Sequence, residues 1–171
     1  VHTRLRWSPV VLLHLLLLSS LFHARAALAD PAMLFIVAAD SVARAEGDDA
    51  LADLVAENAP IVGAAVAQLI DVGLEVGRSG EIGAEKENLE FALRVARLHA
   101  ERNERSGPLD LAEVALGWTE EQKARRAEAK ALEEEARQAR DAREFGRAVE
   151  IITDAQAIYR EIGDEWSLAV T

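Results

Sequence analysis

The sequence has no cysteine, so no disulfide framework can hold it and its fold must rest on a packed core. Glycine and proline are also scarce, at ten and four among 171 residues. Runs of β-branched and aromatic residues are few, so nothing points to a sheet and the chain is expected to be all-α. Of four histidines, His2, His14 and His23 fall in the first 26 residues, leaving His99 for the rest. One histidine without cysteine excludes Cys–His dyads and clustered histidine metal sites. Ser41, Ser79, Ser106 and Ser167 lack the nucleophile-elbow pattern. Gly73, Gly77, Gly80 and Gly83 follow no strand and lack the Lys-Ser/Thr pair of a phosphate loop. Glu133-Glu134-Glu135 point in different directions on a helix, and no glutamate stands three residues before His99. No catalytic, cofactor or metal residue is therefore assigned, the chain is read as a non-enzyme, and His99 is expected at a helix surface or half-buried.

What is present begins with an export signal. Arg4 and Arg6 form a basic start, residues 10–18 with Leu21 and Phe22 form an apolar core, and Ala24-Arg25-Ala26 offers the small-x-small cleavage pattern. Residues 1–26 are read as leader, with later cuts after Ala29 or Ala45 as alternatives and an uncleaved N-terminal anchor as the competing reading. The protein is thus expected outside the cytoplasm, periplasmic or extracellular in a bacterium. The leader takes three basic residues and no acidic one, so the net charge moves from −11 to −14. Such an acidic balance argues against nucleic acid and against anionic membrane surfaces as partners.

The remaining chain reads as a succession of helices in two segments, 27–78 and 79–171. Residues 32–44 form a first apolar helix, and a short one follows Gly47-Asp48-Asp49 with Leu51, Leu54 and Val55. Pro60 sits in the first turn of the next, where its missing N–H costs little. That helix, 61–76, is apolar almost all round and is expected at the centre of the core, since Gln68, Asp71 and Glu75 interrupt any membrane-spanning run. Gly77-Arg78-Ser79-Gly80 is the clearest turn. Helices over 85–105 and 109–116 come next. Thr119-Glu120-Glu121-Gln122 is a capping box that opens a long alanine- and charge-rich helix over 123–143.

The chain is organised around 131–171. Phe145, Ala148, Ile152, Ala155, Tyr159 and Ile162 recur at helical spacing and predict a buried stripe. Gly163 suits the left-handed position that ends this helix, and Asp164 can cap a following one. Leu132 and Ala136 place a large and then a small apolar residue on the preceding helix. In this pattern the segment resembles a tetratricopeptide repeat, a pair of antiparallel helices that stacks into a solenoid. It departs from the family at Glu135, Ala139 and Arg160, where leucine, tyrosine and proline are usual. Leu89, Ala92, Ala96 and His99 repeat the spacing more weakly, at a distance longer than the roughly 34 residues of the standard unit. The resemblance implies a fragment of an α-solenoid whose first helices line a concave, peptide-binding surface. Carried over by register, Lys130, Glu133, Arg137, Arg140 and Asp141 would face a protein or peptide partner.

The function expected is that of an exported, non-enzymatic helical repeat scaffold for protein or peptide binding. Two alternatives stand beside it: a self-associating helical bundle, and the N-terminal part of a longer enzyme or sensor. Trp166 and Leu168 are expected to have little to cover them.

Overall fold

In the computed structural model, residues 30–103 and 107–171 are described, and the expected leader over 1–26 lies outside them. Eight helices follow one another among the described residues: α1 (Pro31–Ala45), α2 (Asp48–Glu57), α3 (Ala59–Arg78), α4 (Ile82–Asn103), α5 (Gly107–Gly117), α6 (Glu120–Asp141), α7 (Phe145–Ile162) and α8 (Glu165–Val170). The all-α expectation holds, and antiparallel hairpins recur. Pro31–Thr171 is one compact unit.

α3 is the centre. Its length and composition would suffice to cross a membrane, but about half of its most apolar stretch is buried within the bundle. Val62, Ala65, Val66, Leu69, Ile70 and Leu74 supply the core, and α1, α2, α4 and α5 pack around them. α1 contributes Phe35 and Ala39, so a leader cut after Ala45 would remove part of this core. The turn at Gly80 (φ 95°) sends α4 back along α3. There Gly73 lets the backbone of α4 come close, since a Cβ at that position would lie 3.3 Å from the Glu85 carbonyl oxygen.

α6 and α7 form a second antiparallel pair. Thr119 caps α6 as the sequence indicates: its hydroxyl accepts from the Gln122 N–H at 3.2 Å, and the Gln122 side chain accepts from the Thr119 N–H at 3.0 Å. Gly163 ends α7 in the left-handed region (φ 74°), and the Asp164 carboxylate accepts from the Ser167 N–H at 2.8 Å to begin α8.

Two expectations are corrected. The seam of α7 is buried only in its C-terminal half, through Ala155, Ile158, Tyr159 and Ile162. Phe145 is 62% exposed and Val149 63% exposed. α7 packs on α6 and α8. α8 meets only the far end of α7, and α6 offers small alanines opposite the first turns. Phe145 therefore has no large neighbour to cover it.

The second correction concerns α8. Trp166 does not stand open: its indole lies against Gly63 of α3 and Gly107 of α5, where a Cβ on either glycine would crowd the ring. The two hydrogens in place of methyl groups form the notch into which the C-terminal helix docks. Trp118, in the link between α5 and α6, is buried as well and donates its indole N–H to the Ile162 carbonyl at 3.1 Å. The two indoles fasten the end of the chain to its first five helices.

Gly63→Ala is expected to destabilise the chain when Trp166 is present and to be close to neutral in a Trp166→Ala background. Trp166→Ala alone is expected to cost about 3 kcal/mol, toward the lower end for a large aromatic because the ring is only half-buried. Denaturant unfolding of the four species checks this, and additive effects would remove the notch.

Candidate functional site

The charged residues of α6 are arranged in a line. Lys123, Arg126, Lys130, Glu133, Arg137 and Arg140 follow one another at alternating spacings of three and four, which places them on one face of the helix. The proximal half of this line bonds to acids of other helices, and at its distal end Arg137 and Arg140 bond only within α6.

In the proximal half the cations meet acids from other helices. Arg126 is 1% exposed and Asp164, at the head of α8, is 0% exposed; the two form an ion pair. The Arg126 Nε also donates to Asp71 of α3 at 2.9 Å, and an Nη lies 3.3 Å from the Ser167 hydroxyl. The guanidinium carbon sits 5.2 Å from the Trp118 ring centroid and 6.0 Å from that of Tyr159, so two aromatic faces bracket the charge. Lys123 reaches Glu85 of α4 at 2.6 Å, and the Glu85 carboxylate lies in the space left by Gly77. Burial pulls the Lys123 amine down, but its bonds to Glu120 and Glu85 outweigh that and its pKa lies above the ordinary lysine value.

Lys130 bridges Asp71 at 3.6 Å and Glu133 at 2.7 Å. Glu133 accepts from the Tyr159 hydroxyl at 2.8 Å and from the Thr171 hydroxyl at 3.1 Å. Burial pushes the Glu133 carboxyl up, yet Lys130, Tyr159 and Thr171 together hold it below the ordinary carboxylate value. Burial raises the Tyr159 phenol far above its ordinary value, and the adjacent Glu133 carboxylate adds to the shift.

Of the five residues assigned to a partner surface from the sequence, the exposed Lys130 and the half-buried Glu133 are thus engaged with other residues of the chain. Arg137, Arg140 and Asp141 are exposed, and their bonds stay local: Arg137 to Glu134, Arg140 to Asp141. At the same end, Arg143 closes the α6–α7 turn at φ 65°, a left-handed conformation that costs a non-glycine residue about 1–2 kcal/mol. Arg147 ties α7 to Glu135 of α6 at 2.7 Å. The distal end therefore holds Arg137, Arg140, Arg143 and Arg147, three of them paired with Glu134, Asp141, Glu135 and Glu144, together with the exposed Phe145 and Val149.

The sequence reading gave Arg126, Glu85 and Trp118 no role, and it took Asp164 only as a cap and Asp71 only as an interruption of an apolar run. A signal for them was there: the regular spacing of basic residues on α6, and an aspartate well inside the mostly apolar α3. His99 is buried rather than at the surface, with its Nδ1 3.2 Å from the Asn103 amide nitrogen. Among the described residues no three histidine, aspartate or glutamate side chains are grouped as a metal site. No family model matches the chain, and no curated protein or solved structure matches it.

Arg126→Met leaves Asp164 buried without a cation, and removing one partner of such a pair is expected to cost about 3–5 kcal/mol. Adding Asp164→Asn removes the stranded charge and keeps a capping side chain. The double variant should then be closer to wild type than the summed single losses, in denaturant unfolding. Simple additivity would show that the pair is not coupled.

The titration of the hub gives a second expectation. Tyr159 is the single tyrosine of the chain. Its raised folded pKa means that its contribution to stability is intact below pH 10.0, the ordinary value, and is lost as pH rises above it. Glu133 is depressed, so its contribution is intact above the ordinary value of 4.5 and is lost as pH falls through the lower folded value. The phenolate absorbance band should consequently be missing at pH 10 in the folded chain and emerge together with the alkaline loss of helix signal. A phenolate band at pH 10 with helicity intact would contradict the buried geometry.

Proposed function

We propose that this chain is an exported, non-enzymatic helical repeat scaffold that binds another protein or peptide through the distal end of the α6–α7 hairpin. One observation carries the reading. Arg137 and Arg140 are exposed at the end of α6, and just past the turn the fold leaves two large apolar side chains of α7, Phe145 and Val149, uncovered. Exposed arginines near uncovered apolar side chains suit an acidic amphipathic helix.

The repeat reading is supported by the packing of α1 to α5, in which each helix touches its neighbour and the one after it. Stacked helical pairs pack in this way, each unit leaning on the next. The non-enzymatic reading is supported by how the buried and half-buried charges are used: Arg126, Asp71, Asp164, Lys123 and Glu85 are engaged with one another. The first-helix surface inferred from the tetratricopeptide resemblance is narrowed to Arg137, Arg140 and Asp141, because Lys130 and Glu133 are occupied.

The test is a titration of the full chain with synthetic helical peptides carrying leucine and glutamate on one face. Acidic amphipathic peptides should bind, and Arg137→Glu with Arg140→Glu should weaken them by about tenfold or more, equivalent to about 1.4 kcal/mol. The same pair should barely move thermal unfolding, since exposed ion pairs contribute only about 0.2–1 kcal/mol each. Absence of binding, or binding insensitive to both substitutions, would remove the assignment.

A further inference from the structure

α1 turns an apolar face outward. Leu34 is 58% exposed and Val37 is 43% exposed, one helical turn apart, with Met33, Ile36 and Ala38 half-buried beside them. No charged residue stands between Pro31 and Ala39. The first charges along α1, Asp40 and Arg44, pair with each other at 2.8 Å. The opposite face carries Phe35 and Ala39 into the core, where α1 packs on α2 and α3. That packing fixes the rotation of α1 and leaves Leu34 and Val37 uncovered among the described residues.

The sequence just before this helix is equally apolar. Residues 10–22 hold no acid, lysine or arginine, and Arg4, Arg6 and Arg25 flank them. Residues 23–30 join this run to α1, and so short a link reaches at most about 29 Å when fully extended. A run of this length falls short of the roughly 20 residues that cross a bilayer, but it suits the boundary between headgroups and acyl chains. Attachment there scales with the apolar area buried, so a second apolar contact alongside strengthens it. A second copy of the chain is a poorer match for the α1 face. From Pro31 to Ala38 the helix is about 12 Å long and about 10 Å wide. That footprint of about 120 Å² is far below the roughly 800 Å² per partner of a stable complex.

We infer that α1 lies on a lipid surface through Leu34 and Val37, in a chain that keeps residues 1–26. This takes up the uncleaved anchor that stands beside the cleaved leader in the sequence, and it is independent of the distal end of α6. An interfacial helix sinks its apolar face about 5–10 Å into the headgroup and acyl boundary. That depth admits Leu34 and Val37 while Phe35 and Ala39 stay in the bundle. The net charge of −11 opposes an anionic surface, so the lipid that α1 meets is zwitterionic.

The chain has no cysteine, so a single introduced one can carry a polarity-sensitive dye. Leu34→Cys and Val37→Cys report on α1, and Glu150→Cys is the control on α7, which packs on α6 and α8. Each labelled full chain is mixed with phosphatidylcholine vesicles. The dyes at 34 and 37 should shift to the blue and be quenched by spin-labelled lipid, while the dye at 150 stays in water. Leu34→Glu with Val37→Glu should weaken vesicle partitioning about tenfold or more, because charge replaces the apolar area that the boundary takes up. Both side chains are exposed, so circular dichroism should not change. In a bacterium the chain should stay with the membrane fraction in high salt, with residues 1–26 attached. Dyes at 34 and 37 that remain open to aqueous iodide on vesicle-bound chain would overturn the inference, and this readout holds even where the glutamate pair unfolds the protein. A folded glutamate pair that partitions like wild type would overturn it too, as would a full chain that ignores the vesicles or is recovered cut after Ala26. Shielding of 34 and 37 that grows with protein concentration in the absence of lipid would give the face to a second copy instead.

Discussion

The buried guanidinium of Arg126 is the constraint on which the arrangement of the second half depends. α6 is built of alanine and charge, and its buried face, Ala129, Ala136 and Ala139, offers little area to hold it in place. Small uniform side chains also permit sliding and rotation, since one alanine fits a gap as well as the next. A single buried cation removes that freedom. Arg126 has acids on two other helices, Asp71 and Asp164, and two aromatic rings around it, and only one rotation and one height of α6 satisfy all of them. Desolvating the charges is expensive, so the group fixes register more than it adds to net stability.

The C-terminal helix is too short to be stable in isolation, and it is held at three points. Asp164 joins Arg126 and caps the helix, Trp166 enters the Gly63–Gly107 notch, and Thr171 reaches Glu133. Through these contacts the last residues cover the junction between the two helical pairs. The polar side chains of α8 are arranged around α6, and the apolar one around α3 and α5. Loss of either set would free a surface that the rest of the chain cannot cover.

One helix face is bonded differently along its length. Lys123, Arg126 and Lys130 meet acids of the same chain, while Arg137 and Arg140 bond only to their own helix. The difference lies in the partners: among the described residues no acid of α3 or α4 pairs with Arg137 or Arg140. The uncovered Phe145 and Val149 follow from the same geometry, because the first turns of α7 have only alanine-rich α6 beside them. A seam that looks continuous in the sequence is thereby divided into an internal half and an external one. The binding role proposed above belongs to that external half.

Helix positions, caps and turns were legible from the chain alone because they are local. Pro60, the Thr119–Gln122 box, Gly163 and Asp164 act on their own backbone, and the apolar periodicity of α3 marks it as the core helix wherever its neighbours lie. Which acid meets which base is a different kind of fact. Asp71 and Arg126 are 55 positions apart, and nothing in either one's surroundings names the other. The glycine notch for Trp166 draws on three separate helices, and the exposure of Phe145 depends on a neighbour that is not there. Those were settled only when the helices were brought together, because burial and ion pairing depend on distances that the order of residues does not contain.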